Sequence, residues 1–180
     1  TTTDLALILS GRPLLSSKGA RVDSMLTHVR AFAVKSVAIG GDSAVDVNGG
    51  GLTVGPERRG PPLCLGGSCP TPTDALRVLG KSNLGDLERA KEAMAGLAGK
   101  LNCSIEKAAS MVVDSVVEKI AAEINEMFRE WEQEPAYRIW EIMKKEKLQA
   151  QSVVGVGGGS IALVPLVASL LGVTSIVPEH

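Results

Sequence analysis

Apolar and polar positions follow two different periods along this chain. In the first third, short apolar runs at Leu5 to Leu9, Pro13 to Leu15, Ala33 to Ile39, Ala44 to Val47 and Leu52 to Val54 are separated by Ser-Gly-Arg, Gly-Gly-Asp and Asn-Gly-Gly-Gly. Runs of that length between turn residues predict short strands and hairpins. From Gly55 to Pro72, glycine and proline are too frequent for regular structure, which predicts a long loop of a kind that is often functional. The spacing then becomes helical. Thr73-Asp74 opens a short helix, Ala75 to Leu79, stopped by Gly80, with N-capping accounting for at least one of the two openers. Asp86 is the expected cap of a second helix with the stripe Leu87, Ala90, Met94, Leu97, Ala98 and Leu101, and Asn102 is its left-handed stop. Ser104 caps the next, whose stripe Ile105, Ala109, Val112, Val116, Ile120, Ile124, Met127 and Trp131 lasts about seven turns. Glu134-Pro135 breaks it, and Ala136 to Lys147 is predicted as a further helix.

The end of the chain changes pattern again. Ser152 to Val154, the turn Gly155-Val-Gly-Gly-Gly-Ser160, the apolar Ile161 to Leu171 and Val173 to Val177 read as strand, glycine turn, helix and strand. Glycine lets backbone N–H groups and the positive end of a helix approach a phosphate or nucleoside closely.

Composition narrows the options. At 180 residues, with 44% apolar and 22% charged, a single domain is expected, organised as a β-rich part and loop (1–72), a helical insertion (73–147) and a closing strand-helix-strand (148–180). Nineteen basic and twenty acidic residues leave a net charge of −1, which offers no field for nucleic acid or an anionic membrane surface. The longest apolar stretch contains Pro165 and falls short of the roughly 20 residues that span a bilayer. Neither nucleic acid nor membrane is an expected partner.

Cys64, Cys69 and Cys103 are irregularly spaced and form neither a disulfide framework nor a paired zinc knuckle, so a cytoplasmic location is expected. His28 and His180 are the only histidines, so chemistry here is expected to run on carboxylates, hydroxyls, backbone amides and a bound Mg²⁺. Phe128, Trp131, Tyr137 and Trp140 flank the Glu134-Pro135 break and are read as a hydrophobic corner. The opening Thr1-Thr-Thr-Asp4 abuts a strand without an initiator methionine, and the chain is therefore read as part of a longer parent.

Gly155-Val-Gly-Gly-Gly-Ser160 nearly fits a dinucleotide fingerprint, with Ser160 in place of the last glycine and Glu179 after the next strand. A dinucleotide-binding oxidoreductase domain is accordingly one reading. Four segments in order carry a different one: Thr1-Thr-Thr-Asp4 before a strand, Gly40-Gly-Asp-Ser43 after a strand, Pro70-Thr-Pro-Thr-Asp-Ala-Leu-Arg-Val-Leu-Gly80, and Gly155 to Ser160. In that order the chain resembles the ATPase region of the hydantoinase A/5-oxoprolinase family over nearly its whole length. Gly55-Pro-Glu-Arg-Arg-Gly-Pro-Pro and Pro70-Thr-Pro-Thr-Asp74 are the most specific parts.

The resemblance implies an α/β fold of the ribonuclease-H/actin-like ATPase type with a helical insertion, ATP and Mg²⁺ as cofactors, and a parent enzyme that opens a cyclic amide of the hydantoin or 5-oxoproline type by phosphoryl transfer. It also implies a companion lobe elsewhere in the parent, while the sequence leaves open whether a second subunit or a homo-oligomer is a further partner. The family's first motif reads Asp-x-Gly-Gly-Thr-Thr/Ser-Thr-Asp, so Thr1, Thr2 and Thr3 would be the surviving half of a phosphate loop and Asp4 a catalytic residue that organises Mg²⁺. The alternative is a frayed end and an exposed carboxylate. Gly40 and Gly41 would belong to a second phosphate turn, although Asp42 adds negative charge there, and a tight turn between strands explains the same residues. Gly157, Gly158, Gly159 and Ser160 would form the adenosine-side turn, or else serve close packing of helix on sheet. Asp74 would be catalytic by resemblance alone. A non-catalytic ATPase switch that activates another enzyme is compatible with the same segments.

Overall fold

A computed structural model of the chain describes residues 1–16, 21–22, 25–26, 31–133 and 149–178. The chain divides into two units, one formed by Thr1–Thr2, Ala38–Ala121 and Ala150–His180, the other by Thr3–Val37 and Ala122–Gln149. The divisions fall between Thr2 and Thr3, between Val37 and Ala38, within the longest helix between Ala121 and Ala122, and between Gln149 and Ala150.

The smaller unit contains β1 (Thr3–Ala6), β2 (Ile8–Leu9), β3 (Arg12–Pro13), β4 (Arg21–Val22), β5 (Met25–Leu26) and β6 (Val34–Val37). β1 and β6 pair antiparallel, from Thr3 opposite Val37 to Ala6 opposite Val34. Along β1 half-buried and exposed residues alternate, as expected where one face of a sheet is covered. The predicted strand Leu5 to Leu9 is in fact two: β1 starts earlier, and β2 pairs with β3.

In the larger unit β7 (Val45–Asn48) and β8 (Gly51–Val54) form the predicted hairpin around Gly49-Gly50, a dipeptide suited to the tight turns of such hairpins. The loop that follows contains one short 3₁₀ turn, Leu63–Leu65. Three helices come next: α1 (Pro72–Val78), α2 (Leu87–Leu101) and α3 (Ile105–Glu132). Asp86 caps α2 by accepting the Arg89 N–H at 2.9 Å, and Asn102 ends it in the left-handed conformation. The Ser104 hydroxyl accepts from Lys107 N at 3.2 Å at the start of α3. All three follow the sequence expectation.

The stripes of α2 and α3 supply much of the core of this unit, with Met94, Val112 and Val116 completely buried. Each such side chain contributes about 1.5–3 kcal/mol by leaving water. β9 (Ser152–Val154), α4 (Ser160–Leu171) and β10 (Thr174–Ile176) complete the unit, and the two strands pair in parallel. Gly172 closes α4 in the left-handed conformation. The last turns of α3 belong to the smaller unit, where Lys35 of β6 reaches Glu123 at 3.0 Å and Glu130 at 3.2 Å.

The predicted helix Ala136 to Lys147, the Glu134-Pro135 break, Tyr137, Trp140, His28, Glu179 and His180 lie outside the described residues. Among the described residues, no helix is long and apolar enough to cross a membrane.

Candidate functional site

Three of the segments singled out by sequence meet at one corner of the larger unit. Gly40 to Ser43 is a turn closed twice: Ser43 N donates to the Gly40 carbonyl at 3.1 Å, and Gly40 N donates to the buried Ser43 hydroxyl at 2.9 Å. Thr1 packs so closely on Gly40 that a Cβ there would collide with the Thr1 side chain. On the other side Thr73 donates both its backbone N–H and its hydroxyl to the Gly41 carbonyl, each at 2.9 Å, and a Cβ on Gly41 would lie 2.7 Å from the Thr73 hydroxyl oxygen. Both glycines are therefore required by close approach. The turn does not join two strands of one hairpin, because β6 pairs with β1 and β7 with β8. The N–H groups of Gly41 and Asp42 have no partner among the described residues.

Asp74 is completely buried beside this corner. Its Oδ1 accepts from Cys64 N at 2.7 Å, and its Oδ2 accepts from Leu63 N at 3.2 Å, Thr71 N at 2.9 Å and the Thr71 hydroxyl at 2.8 Å. Thr71 in turn accepts from Asp74 N, which completes a capping box at the start of α1. The cap of α1 is thus Thr71, two residues before the expected start at Thr73. With its oxygens engaged by four donors, Asp74 ties the glycine- and proline-rich loop to the helix. Thr71-x-x-Asp74 has the spacing of a capping box, a signal present in the sequence that a loop-dominated reading passes over.

The same loop carries charge to the corner. Arg58 donates to Asp42 Oδ2 through Nε at 3.1 Å and Nη2 at 2.9 Å. Arg59 binds Asp46 and Glu57, which raise its affinity for the proton further, Asp46 most. Cys64, a buried residue of the loop, has its thiol pushed up to about 12, first by burial and then by the Asp74 carboxylate. Burial also raises Cys69. Both thiols are free, and no cluster of three metal-ligating side chains occurs among the described residues.

At the other glycine turn the two sequence readings divide between residues. A Cβ on Gly155 would collide with Val164 and lie 3.0 Å from Ser160 Cβ, so Gly155 serves close packing of α4 on β9. Gly157 and Gly158 face open space, and Gly159 meets only Leu163 at 3.8 Å. Ser160 is turned back on the loop, its hydroxyl donating to the Gly157 carbonyl at 2.6 Å. Ser160 N also donates to the Gly157 carbonyl at 3.1 Å, and with no side-chain cap at Gly159 the N–H groups of Ile161 and Ala162 are the uncapped donors at the start of α4. Asp4, in the smaller unit, is exposed on β1 and accepts from the Ser36 hydroxyl at 2.5 Å.

The fold is found in solved structures of larger proteins. A nucleotide-free structure of acetone carboxylase, from a study of ATP-dependent acetone carboxylation, matches with a TM-score of 0.63 and 20% identity over 96% of this chain and 25% of that one. An ATP-dependent caprolactamase from Pseudomonas jessenii matches with a TM-score of 0.68 and 22% identity over 91% of this chain and 24% of that one. The chain thus spans about a quarter of the length of each. Comparison with curated proteins finds no match. The family model for hydantoinase/oxoprolinase matches residues 1–180, and the chain belongs to that family.

Proposed function

We propose that this chain is the nucleotide-binding part of an ATP-dependent hydrolase or carboxylase of the hydantoinase type, with an actin-like ATPase architecture and a cyclic amide as substrate of the parent. The observation that carries the reading is the convergence of Thr1, the Gly40–Asp42 turn and Thr73, three segments distant in sequence, around two unpartnered backbone N–H groups. Successive N–H groups in a glycine turn, with hydroxyls beside them, suit the oxygens of a phosphate. The residues present therefore fit a polyphosphate.

Thr1 and Thr2, followed by Thr3, supply hydroxyls and amides to the phosphates, and Gly40 and Gly41 supply backbone at close range. Asp4 is proposed to organise Mg²⁺ or its waters, with Ser36 holding one carboxylate oxygen. Gly157, Gly158 and Gly159, open to solvent before an uncapped helix, are proposed as the nucleoside-side turn, with Ser160 fixing its shape. Asp74 acts as a positioning residue. When bound, ATP would supply a phosphoryl group to the amide oxygen with release of ADP, opening the amide carbon to water, after which the ring C–N bond would break to free the amine and hydrolysis of the resulting acyl phosphate would release phosphate. The substrate-bearing lobe belongs to the remainder of the parent. Family membership across residues 1–180 favours this reading over a dinucleotide-binding oxidoreductase, which would draw on the Gly155–Ser160 turn and Glu179.

The test is phosphate release from Mg-ATP by the intact protein, with and without hydantoin or 5-oxoproline, beside an Asp4→Ala variant. Stimulation by a cyclic amide and loss on substitution is the expected result. Release indifferent to both amides would replace the enzyme by an ATPase switch, and absence of nucleotide binding would overturn the proposal.

A further inference from the structure

Asp42 is at odds with the corner around it. It places a carboxylate one residue after Gly41, in a turn whose free N–H groups and neighbouring hydroxyls favour an anion. Two negative groups this close repel one another unless a cation intervenes, most strongly where water is partly excluded.

Arg58 is that cation. Both of its contacts, Nε at 3.1 Å and Nη2 at 2.9 Å, fall on the single oxygen Oδ2 of Asp42. Neighbouring Arg59 is committed elsewhere, to Asp46 at 2.8 Å and Glu57 at 2.9 Å. The Asp46 pair anchors the Glu57–Arg59 stretch to β7, and the Ala44 N–H donates to the Glu57 carbonyl at 2.8 Å. The backbone that presents Arg58 is thereby fixed over the turn. Both partners of the Arg58–Asp42 pair are partly exposed, with side chains 53% and 31% accessible, so the pair adds little to folding stability. Its main consequence is for the local field.

We propose that Arg58 is the positioning residue that makes this turn compatible with a polyphosphate, acting through Asp42: it holds the carboxylate and cancels its charge. This inference rests on the nucleotide reading above.

The experiment measures binding of the Mg²⁺ complex of the β,γ-imido analogue of ATP to the intact protein by calorimetry, with thermal melting recorded for every variant. Arg58→Gln is expected to weaken binding about tenfold at low salt, as an uncompensated nearby charge predicts. The defect shrinks as ionic strength rises. Asp42→Asn placed in the Arg58→Gln chain is expected to return affinity to within about threefold of the unsubstituted protein, because it removes the charge that needed compensation. Arg58→Lys keeps the charge and falls between. Thermal midpoints stay close together throughout. Unchanged binding in Arg58→Gln overturns the proposal, and so does a double variant as weak as Arg58→Gln, which would indicate a structural role for the arginine. If the unsubstituted protein fails to bind the analogue, the nucleotide reading falls and this proposal falls with it, an outcome distinct from either of the others.

Discussion

The turns Gly40–Ser43 and Gly155–Ser160 look alike in sequence, each a glycine-rich stretch after a strand that ends in serine, yet they are built in opposite ways. At the first, both glycines are pressed between other segments, Gly40 by Thr1 and Gly41 by Thr73, and the serine is buried inside the turn. At the second, only the leading glycine is under compression, while Gly157 and Gly158 face open space ahead of an uncapped helix. The difference teaches that a glycine repeat contains two kinds of residue. Some are glycine because the chain needs the room, as at Gly155, or the positive φ, as at Gly157 with φ 103°, whereas Gly158 is under neither constraint and leaves its room to something outside the chain.

Three substitutions break or sharpen that contrast, beginning with the largest effect. Asp74→Ala strips four donors of their acceptor, three of them in buried bonds, and a loss of about 3–5 kcal/mol is expected from unsatisfied buried groups. Urea or thermal unfolding measures it, and a loss below about 1 kcal/mol would contradict the scaffolding role. Gly155→Ala drives a methyl into Val164 and should destabilise by about 1–3 kcal/mol as α4 shifts from β9. Gly158→Ala meets nothing within 4 Å, so stability should stay within about 0.5 kcal/mol while affinity for the imido analogue of ATP falls. If the two variants proved equally damaging to the fold, the distinction between packing and open glycines would be lost.

Local signals were legible from sequence alone. The Asp86 cap, the Asn102 stop and the stripes of α2 and α3 depend on neighbours within one or two helical turns, and the structure has them where the pattern put them. The closing strand-helix-strand was legible for the same reason. Pairing was not, because nothing in the alternation of β1 says that its partner is β6, with four strands between them in sequence. The role of Asp74 was hidden because two of its donors are the backbone amides of Leu63 and Cys64, which every residue but proline possesses. Arg58 escaped notice because its partner Asp42 lies 16 residues away across a loop without periodicity. The candidate site was legible as a set of motifs, and its internal contacts only from the fold.

The Asp74 knot also bears on the order in which this region assembles. Its bonds to Cys64 and Leu63 span 10 and 11 residues, whereas the Thr73 hydroxyl bond to Gly41 spans 32. Closing roughly ten residues takes about 10–100 ns, and extending the closure to about thirty adds about 1 kcal/mol of chain entropy. The proline-rich loop can therefore fold onto its helix as an autonomous piece, before the distant strands arrive to finish the corner. In the native ensemble the corner should open more readily than the knot, with the Thr73 amide exchanging its hydrogen for deuterium faster than those of Cys64 and Thr71. The reverse order of exchange would contradict this hierarchy.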